Sequence, residues 1–335
     1  MCFEMKNRIA YFDIAKGILI ILLVFAHFRS AAVRMPYDSP YFSMVYNWNC
    51  IFTCFYMPAF FIISGYCSNF SKPLRVFLKS LFKTLLIPFV SFTIINQATV
   101  AIYNGTSFLD QMWQNILEGG GLWFLQAMII AKMLFYALKR LRVSSSLNGG
   151  GYLIVFLMLM VVGVGLNQWK IGNNLFFLNH ALIASFWIAI GQWLKEHPTI
   201  YEKMVDASVY VYPIVALASF FKCPSLTASI SISLLTIPLH IIYSLVGTMF
   251  LLKLCKLVNE NKVLEYWGKN SLVVYALHFT PLFFLFRYLW EWLQPATIWP
   301  FLFFFILLYG LVYGLCWLLM KLFNIKPFKY LTGRF

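Results

Sequence analysis

The sequence predicts an all-α, polytopic integral membrane protein with about ten transmembrane helices. The 335-residue chain is 61% hydrophobic and 19% aromatic, and only 11% of its residues are charged. A water-soluble domain of this composition would expose too much apolar surface to stay dispersed. Its repeated apolar stretches approach the roughly 20 residues that a helix needs to cross a bilayer. The distribution of basic residues, described below, is the third observation behind this prediction.

Ten apolar stretches, separated by turn-forming Gly, Pro, Ser and Asn clusters, predict the individual helices. In order, they cover residues 12–31, 51–70, 77–102, 122–138, 153–166, 175–194, 205–221, 226–252, 271–289 and 298–320. Basic residues precede the first stretch and no small-residue cleavage site follows it, so a retained helix is predicted there. No soluble linker interrupts the series, and residues 1–335 are predicted to form a single transmembrane domain.

The chain has a net charge of +15, and its basic residues are concentrated on one side of the predicted bundle. With a cytoplasmic N-terminus, 19 of the 26 Lys and Arg residues lie in cytoplasmic segments and five lie in outer ones. This asymmetry is the positive-inside pattern, and it predicts both termini in the cytoplasm and a multi-pass location in the cytoplasmic (inner) membrane. Topology and attraction to anionic lipid account for the basic charge, so nucleic acid is not expected as a partner. The seven Cys residues show no metal-binding pattern, and no metal is expected.

Two ionisable residues stand within the first apolar helix, Lys16 and His27. Such residues are costly to insert into a membrane and mark a functional site by default. Eleven residues of helix place the two side chains within roughly 20° of one face and about 16 Å apart along the axis. They cannot contact each other, but they could hold the two ends of one long ligand.

Four segments carry motifs: Arg8-x4-Asp13-x2-Lys16-Gly17 followed by His27, FYMPAFFIISGY at 55–66, LWFL at 122–125 and NSLVVYALH at 270–278. Together they resemble the acyltransferase-3 family of polytopic membrane enzymes. That family moves acyl groups, usually acetyl, from acyl-CoA to extracytoplasmic sugars or glycans. The family more often has Arg where this chain has Lys16, and Lys there is similar to the branch of fucose and sugar O-acetylases.

The resemblance implies an O-acetyltransferase, an enzyme transferring groups other than amino-acyl groups, with acetyl-CoA (acyl-CoA) as donor and a sugar or polysaccharide as acceptor. A base must then remove the hydroxyl proton of the acceptor, and His27 is the candidate for this catalytic role. The alternative is a hydrogen-bonded structural histidine. The main alternative function is a transporter or flippase for a lipid-linked glycan, and a catalytically inactive scaffold is a third. The acceptor, the acyl chain, the choice between direct transfer and a transient acyl-His, the partner of Lys132 and the oligomeric state are left open.

Donor binding is expected near the cytoplasmic end of the first helix. Lys16 is predicted to pair with CoA phosphates, or alternatively to reach the interface or pair with Asp13 alone. Asp13, three residues earlier, is expected to orient Lys16. Arg8 is expected at the cytoplasmic entrance of the donor site, where it either binds phosphate or only contributes to the positive-inside charge.

The remaining candidates come from the later motifs. Ser64, Gly65 and Tyr66 are expected to border CoA, although small-residue helix packing explains the Ser-Gly pair equally well. Tyr275 and His278 are expected to position the CoA arm, or to be satisfied core residues. Two residues of the LWFL motif, Trp123 and Phe124, are expected to contact the acceptor sugar or to anchor the helix at the membrane interface.

Overall fold

The computed structural model describes residues 9–33, 51–109, 112–117, 121–140, 150–169, 176–221, 233–293 and 297–335, and the regular elements among them are all helical. The all-α prediction is confirmed for this part of the chain. The α-helices are α1 (Ala10–Val33), α2 (Tyr56–Cys67), α3 (Leu74–Leu81), α4 (Ile87–Asn104), α5 (Met112–Leu117), α6 (Trp123–Arg140), α7 (Gly151–Gln168), α8 (Leu178–Glu196), α9 (Pro198–Phe221), α10 (Ile237–Val258), α11 (Lys262–Lys269), α12 (Ser271–Leu277), α13 (Phe283–Leu293), α14 (Ile298–Leu322) and α15 (Phe328–Leu331). Two π-helical turns, Phe82–Leu86 and His278–Leu282, join α3 to α4 and α12 to α13.

Six of the described helical segments are long and apolar enough to cross a membrane. They are Ala10–His27, Leu74–Asn104, Gly151–Gln168, Leu234–Val258, Ser271–Leu293 and Ile298–Leu322. Helices also occur at the other four predicted positions, but they are shorter or less apolar, as with Ile51–Cys67. The structure therefore supports a helical membrane protein, while the number ten stays a prediction.

Helix α8 lies at the centre of the packed core. It is buried along most of its length and packs against α2, α6 and α7. Two glycines permit the close crossing with α2, because a Cβ on Gly191 would overlap the Ile62 carbonyl and one on Gly65 would overlap the Ile188 carbonyl. Small residues at such crossings let helix backbones approach closely, which stabilises association inside a bilayer.

Helix α1 carries the first predicted site residues, and the short helix α11 packs closely against it. A Cβ on Gly17 would overlap the Leu264 carbonyl, and one on Gly268 would overlap the Asp13 carbonyl. The short helix α11 is therefore held against the first turns of α1. Helix α12 follows α11 directly and runs beside α1 in the same direction. The last residues of α12 therefore lie next to the later turns of α1.

Candidate active site

Two imidazole rings meet where α1 passes the end of α12. The Nδ1 atom of His27 is 2.7 Å from the Nε2 atom of His278. The ring planes differ by only 1° and the centroids are 5.0 Å apart. A nitrogen–nitrogen distance of 2.7 Å is too short for face-to-face stacking, so the rings lie edge to edge in a common plane. This geometry is a direct hydrogen bond between the two side chains.

The two histidines differ in their access to the surroundings. His278 is 1% exposed, whereas His27 is only half-buried. The Phe279 ring meets His27 edge-on, with centroids 5.5 Å apart. His27 is thus the ring that a substrate could reach, and His278 is the interior partner.

A π-helical turn sets the direction of His278. The turn His278–Leu282 contains Pro281, which has no N–H to offer the carbonyl five residues earlier, that of Ala276. The side-chain amide of Asn96 on α4 donates to this carbonyl at 3.1 Å instead. The His278 Nδ1 atom faces the carbonyls of Val274 at 2.9 Å and Tyr275 at 2.8 Å. Turns of this kind often occur at functional sites.

His278 comes from the motif at 270–278, yet its ring contacts His27 of the first helix directly. The physical reason is the packing of α11 on α1, which starts α12 alongside the first helix. The predicted contact of Tyr275 and His278 with the CoA arm stays a prediction.

Tyr275 connects the histidine pair to the LWFL motif. Its hydroxyl accepts a hydrogen bond from the backbone N–H of Phe124 at 3.1 Å. That N–H lies in the first turn of α6, where no intrahelical acceptor is available. The Phe124 ring also packs on Phe61 and on Tyr275, with centroids 4.7 and 5.3 Å apart. Phe124 therefore lies inside an aromatic cluster, and its predicted contact with an acceptor is untested.

The other end of α1 carries an ion pair. The Lys16 Nζ atom lies 2.6 Å from Asp13 Oδ1, and the Asp13 side chain is only 2% exposed. The two residues form an i,i+3 ion pair, whereas the predicted role of Asp13 in orienting Lys16 towards a donor stays a prediction. Because α1 is one continuous helix from Ala10 to Val33, the axial separation of Lys16 and His27 stays at about 16 Å.

The Ser-Gly-Tyr segment of α2 lies near this ion pair. The Tyr66 ring packs on Phe12 of α1, with centroids 4.9 Å apart. The Ser64 carbonyl accepts a hydrogen bond from Ser68 at 2.7 Å. The crossing of α2 with α8 explains Gly65, which favours the packing alternative for this residue over a contact with CoA.

Further lysines gather around the C-terminal end of α2. Lys132 of α6 lies within electrostatic range of both Lys16 and the Cys67 thiol. Lys195 donates to the Ser68 carbonyl at 2.9 Å. No carboxylate of the described chain forms an ion pair with Lys132 or Lys195. Only the tertiary structure places Lys132 near Lys16.

A buried histidine of α8, His180, lies close to the LWFL motif. The His180 ring lies 5.1 Å from the half-buried Trp123 ring, measured between centroids. Its Nδ1 atom contacts Asn179 at 2.8 Å, while its buried Nε2 atom has no hydrogen-bond partner in the described part of the chain. Sequence reasoning missed this neighbourhood because no motif links His180 to Trp123.

Other predictions have less structural support. Arg8 lies outside the described residues. Among those that are described, no group of three His, Cys, Asp or Glu side chains could hold a metal ion. A cavity between α6, α7 and α8 is lined by Phe135, Tyr152 and Glu196, and it shares no residue with the predicted site. The binding of one long ligand between Lys16 and His27 stays a prediction.

The fold and the site define a helical integral membrane protein with an imidazole pair inside its bundle. The chain belongs to the acyltransferase-3 family, because the family model, described as an acyltransferase domain, matches residues 9–321. No curated protein and no solved structure shows a significant match. The predicted family is thereby confirmed, and membership supports membrane acyltransferase activity. The similarity to sugar and fucose O-acetylases stays a prediction.

Proposed function

We propose that this protein transfers an acetyl group from cytoplasmic acetyl-CoA to a hydroxyl of a sugar or polysaccharide outside the cytoplasmic membrane. In this proposal ten spans place both termini in the cytoplasm, so that Lys16 lies near the inner face and His27 lies towards the outer one. The observation that carries the proposal is the hydrogen bond of His27 with His278 at 2.7 Å. A half-exposed imidazole held by a buried partner is the arrangement that a general base requires.

The reaction balances with His27 as the only proton carrier. His27 removes the proton of the acceptor hydroxyl while the oxygen of that hydroxyl attacks the carbonyl carbon of the thioester. The carbon–sulfur bond then breaks, and His27 returns the proton to the leaving thiolate. The products are the acetylated sugar and free CoA, and His27 is neutral again.

The cationic surroundings of Lys16 support a donor site at the opposite end of α1. Lys132 and Lys195 add positive charge near the C-terminal end of α2, and Asp13 neutralises only part of it. Uncompensated cations are costly at membrane depth, whereas the phosphates of CoA would stabilise them. An extended pantetheine arm is comparable in length to the roughly 16 Å of helix that separates Lys16 from His27.

Acceptor binding is assigned to the region of Trp123. A half-buried indole offers an apolar face to a sugar ring, and the nearby His180 Nε2 offers a hydrogen-bonding group. Both residues flank the start of α6, which Tyr275 connects to the histidine pair.

The proposal is tested with radiolabelled acetyl-CoA supplied to inside-out membrane vesicles, and with mass spectrometry of surface glycans from cells with and without the protein. His27→Gln is expected to lower acetyl transfer at least about 100-fold, the usual contribution of a general base. His197→Gln is the matched control, since within the described residues the His197 side chain contacts Trp193 at the end of α8.

Two results would contradict the proposal. Full transfer by His27→Gln would remove the catalytic assignment. Movement of a lipid-linked glycan without acetylated product or free CoA would instead identify a flippase.

A further inference from the structure

The contacts of His278 determine which of its nitrogens carries hydrogen. Its Nδ1 atom faces two backbone carbonyls, those of Val274 at 2.9 Å and Tyr275 at 2.8 Å. A carbonyl oxygen can only accept a hydrogen bond, so Nδ1 of His278 must donate. In a neutral imidazole the other nitrogen, Nε2, is then an acceptor.

This assignment passes to His27 through the hydrogen bond between the rings. Because Nε2 of His278 accepts, Nδ1 of His27 must be the donor across the 2.7 Å contact. The remaining nitrogen of a neutral His27, Nε2, therefore carries the lone pair. A doubly protonated His278 would reverse the direction of the hydrogen bond between the two rings, but it would place a positive charge on a side chain that is only 1% exposed. Within the described residues no carboxylate forms an ion pair with His278 to offset that charge.

We infer that His278 is a positioning residue that holds His27 in the tautomer protonated at Nδ1, with Nε2 as the base for the acceptor hydroxyl. This inference rests on the proposed function. When His27 takes the substrate proton at Nε2, its Nδ1–H still donates to the neutral His278 ring, which stabilises the imidazolium. His278 takes no proton itself and contacts no reacting atom.

The surrounding structure supports this role. The π-helical turn that begins at His278 turns its Nδ1 towards the carbonyls of α12, and Asn96 satisfies the carbonyl that Pro281 cannot. The exposure of the rings matches the division of roles, since the base is the half-buried ring and its partner is the buried one.

Three variants separate positioning from folding. His278→Gln places a side-chain carbonyl about where Nε2 stood, so it can still accept from His27. His278→Asn is shorter: it can contact the carbonyls of Val274 and Tyr275 but does not reach His27. His278→Leu removes both interactions. We expect Asn and Leu to lower kcat about 10- to 100-fold with little change in KM for acetyl-CoA, and Gln to restore most of kcat.

A spectroscopic measurement reads the tautomer without relying on activity. The chain has five histidines, so ¹⁵N-histidine NMR of the full protein in nanodiscs is assignable by comparison with His27→Gln. The wild type is expected to show hydrogen on Nδ1 of His27. His278→Leu and His278→Asn are expected to shift it towards Nε2.

Each contrary outcome has a distinct meaning. Hydrogen on Nε2 of His27 in the wild type, or full kcat in His278→Asn, would overturn the inference. A loss confined to KM would also overturn it, and would return His278 to the predicted role in holding the donor. If the wild type transfers no acetyl group, the proposed function fails, while the NMR result still decides whether His278 sets the tautomer.

Discussion

Replacing Lys16 by Gln tests whether the cytoplasmic end of α1 anchors the donor. A charged hydrogen bond to a phosphate contributes about 1.5–3 kcal/mol, which corresponds to roughly 10- to 150-fold in affinity. We therefore expect KM for acetyl-CoA to rise by that factor while kcat changes little, because Lys16 lies about 16 Å from His27. The affinity for the acceptor should not change.

The same substitution also perturbs Asp13, whose side chain is 2% exposed and pairs with Lys16 at 2.6 Å. Weakening the interactions of a buried carboxylate costs about 1–3 kcal/mol of stability, so binding and folding must be measured separately. Lys16→Arg keeps the charge and should retain both. The double variant Asp13→Asn/Lys16→Gln removes both members of the ion pair and should recover stability without recovering the KM.

The measurements are initial rates over a range of acetyl-CoA concentrations, and thermal inactivation of each purified variant in detergent. An unchanged KM in Lys16→Gln would refute the anchor role. A KM that recovers in the double variant would show that Lys16 acts only by satisfying Asp13.

The remaining predictions concern contacts that only the tertiary structure revealed. Tyr275→Phe should lower the free energy of unfolding by about 1–3 kcal/mol, because the Phe124 N–H loses its acceptor. Reversible unfolding measures this change, the exposed Tyr210→Phe is its control, and equal stability of the two variants would contradict the reasoning. Lys132→Met should raise KM for acetyl-CoA roughly 3- to 10-fold by removing a nearby cation. Lys139, on the same helix, pairs with Glu196, so Lys139→Met should leave KM for acetyl-CoA unchanged. If the two substitutions raise KM equally, Lys132 has no specific role in donor binding.

The sequence by itself determined the class of protein and the separation of the two ends of α1. Apolar content and length require helices in a bilayer, because backbone groups there must bond within their own segment. Helical geometry alone predicts the pairing of Asp13 with Lys16 and puts His27 on the same face. These results depend on local geometry, which does not require knowledge of neighbouring helices.

The tertiary structure decided which residues meet across helices. His27 and His278 are 251 positions apart, and their contact depends on how α11 packs on α1 and on the π-helical turn around Pro281. Apolar periodicity cannot predict such contacts, since membrane helices are apolar on the lipid face and on the packed face alike. For the same reason the sequence could not show that Gly65 faces α8 or that Lys132 lies near Lys16. Side-chain neighbours inside a membrane bundle are set by close packing and hydrogen bonding between helices, and these become visible only in three dimensions.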